Sequence, residues 1–284
     1  MSISNSACNP IKYDRLTLIG YGGSAIVYGI DESTVLKEYF DETDEGIMIE
    51  CNALGRLGSH SNIVQCLGKP NKRSIILERG EPLIRSTTEA DIDQKLRWIG
   101  DAAIGLQYMH HKGIIHADFG CSNMILIENR VKIIDFGGCS IDGDEALAGY
   151  NWYNCRVKTS PNLETDIFAF GCAVFEILSG KPPYHELEAC PDRDNMVQNL
   201  YAAGRFPEIN DLPLREIMLG CWHGTFRSME EVVRILDEAC PLPKDSGNRT
   251  SLITRMINQL RTYFRPTSAW ATRQIQRRTS HRKG

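Results

Sequence analysis

At 284 residues, with 42% hydrophobic and 24% charged side chains, the chain has the composition of a soluble globular protein, long enough for one large domain or two lobes and able to bury a sizeable core. Its longest apolar run, residues 167–178, is too short and too interrupted to span a bilayer, and the N-terminus lacks the apolar core of a signal peptide. The net charge of −4 hides an asymmetry: residues 241–284 carry ten Lys/Arg against one acid, Asp245, a net +9 that leaves −13 on residues 1–240. Ten scattered cysteines, with no Cys-x-x-Cys pair and no metal-like spacing, read as reduced thiols rather than a disulfide frame. The expectation is an intracellular protein, cytoplasmic with the nucleus as an alternative.

In chain order, residues 15–20, 26–30, 33–40 and 73–80 are short runs rich in Val, Ile, Leu and Tyr, bounded by Gly, Asp, Asn or Ser, and predict strands. Between the third and fourth, the apolar spacing of Ile47, Ile49, Ala53, Leu54 and Leu57 predicts one helix crossing a small sheet. From Ala90 to His111, Leu96, Ile99, Ala103, Leu106 and Met109 recur every three or four residues, a long amphipathic helix closed by Gly113. Short strands at 113–116, 124–127 and 131–135 follow, the last two joined by Glu128-Asn129-Arg130. Residues 166–178 are apolar on nearly every side, as in a helix buried at the centre of a domain, and 194–204, 212–222 and 228–240 predict further helices. The order is a small β-rich region, then a larger helical one, with no repeat or long linker before Pro241.

Gly20, Gly22 and Gly23 between two strands let a backbone turn tightly and approach a ligand, though alone they fit any glycine-rich hairpin. Lys37 sits in a strand with Val35 and Tyr39 on its face, which sets its ammonium against apolar neighbours and calls for a carboxylate; Glu50 on the following helix is the candidate. The triplet Asp-Phe-Gly occurs twice, its acids Asp118 and Asp135 lying 17 residues apart. Asn123 comes five residues after the first, and Gly137-Gly138 turns the chain after the second. Two acids and an amide near strand ends, with a lysine and a glycine loop, are the groups phosphoryl transfer needs. One carboxylate takes the acceptor proton, while the other acid and the amide hold Mg²⁺.

These residues, in this order, resemble the eukaryotic protein kinase family from about Tyr13 to Cys240. The catalytic loop matches at His116, Asp118 and Asn123, the metal-binding triplet at Asp135, Phe136 and Gly137, and the central helix of the larger lobe at residues 165–184. The resemblance implies a bilobal α+β fold, with a small antiparallel β lobe over residues 13–80 and a larger, mainly helical lobe over 81–240. Residues 1–12 precede it and the basic tail 241–284 follows. It implies Asp118 as the base, Lys37 held by Glu50, and Asn123 with Asp135 as Mg²⁺ ligands. ATP would lie against Ile19, Gly20, Gly22, Val27, Lys37, Leu77, Glu78 and Gly80, with Leu77 limiting access to the back of the adenine pocket and Glu78–Gly80 as hinge. Asp166 would brace the catalytic loop. The expected activity is transfer of the ATP γ-phosphate to a protein hydroxyl, Ser/Thr ahead of Tyr.

Four positions depart from the family pattern. Ala117 replaces the arginine that in many kinases meets a phosphate on the activation segment, so activity is expected not to wait for phosphorylation. Gly120 replaces a lysine that contacts the transferring phosphate, Ala25 replaces the third loop glycine, and Ser160-Pro161-Asn162 is the nearest approach to the closing Ala-Pro-Glu. A pseudokinase scaffold and a small-molecule kinase remain as alternatives. In the tail, Leu252, Ile253, Met256, Ile257, Leu260, Tyr263 and Phe264 share one helical face. Such a helix suits docking on the acidic body, an acidic membrane surface or a calmodulin-like partner. The remainder, including Arg277-Arg278-Thr279-Ser280, suits a nuclear address or a target for a basophilic kinase, and nothing in the chain calls for a specific nucleic acid.

Overall fold

The computed structural model describes residues 13–42, 44–156 and 159–239, so the expectations for residues 1–12 and for the basic tail lie outside the described residues. A compact unit runs through Val233, and a second begins at Arg234. The first unit opens with a five-stranded antiparallel sheet: β1 (Thr17–Tyr21), β2 (Ala25–Gly29), β3 (Thr34–Tyr39), then, after helix α1 (Glu45–Leu57), β4 (Cys66–Asn71) and β5 (Ser74–Glu78). The strand order is β1-β2-β3-β5-β4, which puts β3 at the centre. Every residue of β3 from Val35 to Tyr39 is buried, so the strand that the sequence presents as alternating is covered on both faces. β4 went unread in the sequence. Its Gly68 and Pro70 mimic a loop, and its pairing with β5 is broken by register shifts at Cys66/Gly68 and Gly68/Asn71.

The chain crosses from the sheet to the helical part through β6 (Glu81–Pro82), the single turn α2 (Leu83–Ser86) and the long helix α3 (Ile92–His111). Asp91 caps α3 by accepting from the Gln94 N–H at 2.8 Å, which fixes its start one residue after the cap. Then come β7 (Ile114–Ile115), β8 (Met124–Ile127), β9 (Arg130–Ile133) and β10 (Ser140–Ile141). β8 and β9 form a hairpin whose two turn residues, Glu128 and Asn129, have φ of 48° and 66°, the pattern of a type I′ turn. β9 ends at Ile133, two residues before Asp135, because Asp135 has φ of 67° and cannot continue a strand.

The remaining helices are α4 (Leu163–Ser179), α5 (Arg193–Ala202), α6 (Arg215–His223) and α7 (Met229–Ala239). In α4 all residues from Asp166 to Leu178 are buried, as its apolar run predicts. Asn162 accepts from the Glu164 and Thr165 N–H groups, and the Thr165 hydroxyl closes a capping box. Ser160-Pro161-Asn162 therefore serves as the entry cap of α4. A small antiparallel β part followed by a larger helical part is the α+β arrangement expected. No helix among the described residues is long and apolar enough to cross a membrane.

Candidate active site

Lys37 stands opposite Val27 on β2 and Ile75 on β5 at the centre of the sheet, which buries it to 8% exposure. An ammonium so placed must be paired. The Asp44 cap starts α1 by accepting from the Gly46 N–H at 2.7 Å, and Ile47, Glu50, Leu54 and Leu57 then fall on the face turned inward. Glu50, fully buried, meets Lys37 Nζ through Oε2 at 2.7 Å, and Asp135 Oδ1 meets the same ammonium at 2.7 Å. Burial works against the Lys37 charge, but Glu50 and Asp135 outweigh it and hold the ammonium protonated. Burial would likewise raise the Asp135 carboxyl; Lys37, with help from His116 and the Gly137 N–H, holds it below the usual range.

Beneath the sheet, Asp166 organises the loop between β7 and β8. Its Oδ2 accepts from the His116 N–H at 2.8 Å and its Oδ1 from the Ala117 N–H at 3.2 Å, which holds Ala117 at φ of 67°. His110 Nε2 and the Tyr150 hydroxyl, at 2.9 and 2.7 Å, complete its shell. The Asp118 N–H donates to His116 Nδ1 at 3.3 Å, so Nε2 carries the ring proton and gives it to the Ile134 carbonyl at 3.0 Å. The Ile134 N–H in turn donates to the Asn123 carbonyl at 3.0 Å. These bonds stitch the Asp118 loop to the segment that carries Asp135.

Both Asp-Phe-Gly stretches share this joint. Phe119 and Phe136 are fully buried and flank the His116 ring, with centroids 5.9 and 5.8 Å away. Asn123 Nδ2 donates to the Asp118 carbonyl at 2.7 Å and to its Oδ2 at 3.0 Å. Burial pushes the Asp118 carboxyl up and Asp135 and Asp166 add to that push, while His116 and the Asn123 amide oppose it.

The cofactor-binding candidates fall in two groups. A Cβ on Gly20, Gly22 or Gly23 would meet nothing within 4 Å, so the protein's own packing does not require glycine there. Ile19, beside Gly20 on β1, is 45% exposed, whereas Leu77, one residue before the end of β5, is buried. Glu78 accepts from the Gln65 N–H at 2.9 Å and from Lys132 Nζ at 2.7 Å, and Arg79 donates from Nη1 to the Asp31 carbonyl at 2.6 Å. Gly80 is a steric necessity: a Cβ there would stand 2.6 Å from the Leu126 carbonyl oxygen.

The departures acquire partners. A Cβ on Gly120 would lie 2.8 Å from Asn154 Nδ2, and Asn154, buried to 1% exposure, donates to the Phe119 carbonyl at 3.2 Å. A lysine at 120 has no room beside it. Ala25 is buried in a small cluster with Tyr39 and Ile47. Tyr39, Tyr150, Asn154 and His110 were not singled out from sequence; each bonds to a residue on another segment, Glu50, Asp166, Phe119 and Asp166 in turn, and belongs to no recurring motif. Among the described residues no group of three or more His, Cys, Asp or Glu could hold a metal alone, so a cation here would rest on Asp135, Asn123 and ligand oxygens.

Comparison with known proteins agrees with this architecture. A family model described as the protein kinase domain matches residues 13–274, past the Cys240 boundary read from the sequence. The chain is 26% identical over 249 residues to mitogen-activated protein kinase kinase kinase 10 of Xenopus laevis, covering 75% of this chain and 25% of the relative. It is 29% identical over 234 residues to calmodulin-binding receptor-like cytoplasmic kinase 3 of Arabidopsis thaliana, covering 70% and 46%. It is also 27% identical over 177 residues to the dual serine/threonine and tyrosine protein kinase of Macaca mulatta, covering 56% and 19%. The chain thus spans less than half the length of each of these three relatives. With an antiparallel sheet carrying a lysine paired to a helix glutamate, two aspartates stitched together beneath it, and a family match across most of its length, this chain belongs to the protein kinase domain family.

Proposed function

We propose that the chain is an active, ATP-dependent protein kinase. The observation that carries this reading is the lysine held at 2.7 Å by both Glu50 and Asp135, with Asp118 and Asn123 bonded to each other on the adjoining loop. A bound Mg·ATP supplies the γ-phosphoryl group and the cation that neutralises its charge. The residues suit it chemically. Asp135 and the Asn123 amide oxygen are hard donors of the kind Mg²⁺ takes, and the Asn123 bonds to Asp118 use Nδ2 and leave Oδ1 for a cation. The open glycine turn at 20–23 supports phosphate approach, and Ile19, Val27 and Leu77 would supply apolar cover for the base.

On this reading Lys37 orients the phosphates, Glu50 keeps Lys37 in place, and Asp118 positions the acceptor hydroxyl and takes its proton. Among the described residues the Asp118 carboxylate carries no competing salt bridge, and its raised pKa brings it closer to the working range of a base. The acceptor is taken as Ser/Thr first; the names of the relatives include both serine/threonine and dual-specificity kinases. Gly120 favours a second reading, a pseudokinase that binds nucleotide without turnover, because it removes a cation from the transferring phosphate. Substrates and partners, including a calmodulin-like protein or acidic membrane at the basic tail, are part of the proposal rather than of the family assignment.

The test is transfer of labelled γ-phosphate from Mg·ATP to arrayed Ser, Thr and Tyr peptides. Label that appears with the wild type and vanishes with Asp118→Asn establishes the activity and its acceptor. Mg·ATP binding without label moves the choice to the pseudokinase.

A further inference from the structure

Tyr39 lies two residues beyond Lys37 on β3, and both reach the same carboxylate. Its hydroxyl donates to Glu50 Oε2 at 2.5 Å, the oxygen that Lys37 Nζ meets at 2.7 Å. The other oxygen, Oε1, accepts from the Phe136 N–H at 3.3 Å. Tyr39 is 1% exposed, and two glycines make room for it: a Cβ on Gly137 would stand 2.6 Å from its hydroxyl, and one on Gly46 3.1 Å from Cε1. The side chain therefore fills the joint between β3, α1 and the segment Phe136-Gly137.

Packing accounts for the ring but not for the hydroxyl, since a phenylalanine would fill nearly the same space. Glu50 accounts for it. A fully buried carboxylate is tolerated only when its lone pairs are occupied, and a phenol donates without adding charge. Burial, and after it the nearby Glu50 charge, hold the Tyr39 phenol protonated, so it stays a donor throughout the working range. At the other end of the site, Ala117 leaves no arginine through which a phosphorylated segment could brace this arrangement.

We infer that Tyr39 is a positioning residue: its hydroxyl holds Glu50, and with it α1 and Phe136-Gly137, where Lys37 is paired, in place of a phosphorylation-dependent brace. The inference rests on the kinase reading for its effect on turnover, but not for its effect on α1.

The test is a cycle of Tyr39→Phe, Glu50→Gln and the double variant, read by kcat and KM for ATP and by amide hydrogen exchange across residues 45–57. Tyr39→Phe is expected to lose about tenfold or more in kcat/KM and to speed α1 exchange, as loss of a hydrogen bond to a charged group implies. In the Glu50→Gln background, where a neutral amide oxygen accepts more weakly than a carboxylate, the same change should alter both readouts by clearly less. Equal losses in both backgrounds would mean that Tyr39 acts by packing alone, and wild-type turnover and exchange in Tyr39→Phe would overturn the inference outright. If no variant, wild type included, transfers phosphate, the kinase reading fails and the exchange cycle still decides the role of Tyr39. Should Tyr39→Phe not fold, Gly137→Ala, whose methyl displaces the hydroxyl while leaving Tyr39 in place, is measured instead. Wild-type α1 exchange there contradicts the inference.

Discussion

On the proposed kinase reading, Asp118 shows at the scale of one residue how function and stability oppose each other. Burial first, and then Asp135 and Asp166, raise its pKa in the folded protein above the free value. A carboxyl shifted upward contributes stability that is complete below its unfolded pKa and lost as pH rises through the folded one. Asp118→Asn should therefore abolish phosphate transfer yet raise the unfolding midpoint at neutral pH; a lower midpoint would show that the charge is compensated. Glu176 on α4 is a second case. Burial pushes it up to about 7, the Cys121 thiol opposing, and its Oε2 has no hydrogen-bond partner among the described residues. Stability should fall as pH rises from the ordinary glutamate range through that value, and Glu176→Gln should flatten the slope in thermal melts across it. Lys37, Glu50, Asp118, Asn123 and Asp135 were legible because their residue types and spacings recur as a set. Tyr39 and Asn154 were not, because their meaning lies in partners from other segments, Glu50 for one and the Phe119 carbonyl and Gly120 for the other.

At the scale of elements, the junction of α3 with β9 carries the most consequence, since β9 leads directly to Asp135. Asp101 on α3 grips Arg130 through two oxygens, at 2.6 to 3.0 Å, and accepts from the Val131 N–H at 3.1 Å. Beside it Gly105 permits close approach: a Cβ there would stand 2.7 Å from Ile133 Cδ1 and 3.0 Å from the Asn62 carbonyl. Gly105→Ala should destabilise by about 1–3 kcal/mol through overpacking, measurable in denaturant titrations. A neutral or stabilising result would show that β9 can shift. Long periodic helices were readable from sequence because one apolar face dictates them; α3 and α4 fall within a few residues of expectation. β4 was not, since an edge strand interrupted by Gly68 and Pro70 carries the composition of a loop. The end of β9 was misjudged because the left-handed backbone at Asp135 is imposed by the site, with Lys37 and the Gly137 N–H at its carboxylate, and not by local propensity.

For the molecule as a whole, the site stands assembled by contacts within the chain. Lys37, Glu50 and Asp135 are joined, Asp166 holds the catalytic loop by its backbone, and Ala117 offers no cation to a phosphate. On the proposed reading, activity is built into the fold rather than conferred by modification. The direct measurement is transfer of labelled γ-phosphate from Mg·ATP to a peptide substrate by phosphatase-treated wild type beside Asp118→Asn. Transfer at the untreated rate by the wild type, with none by the variant, is expected. No transfer by either protein, the same transfer by both, or loss of wild-type activity on phosphatase treatment would contradict it.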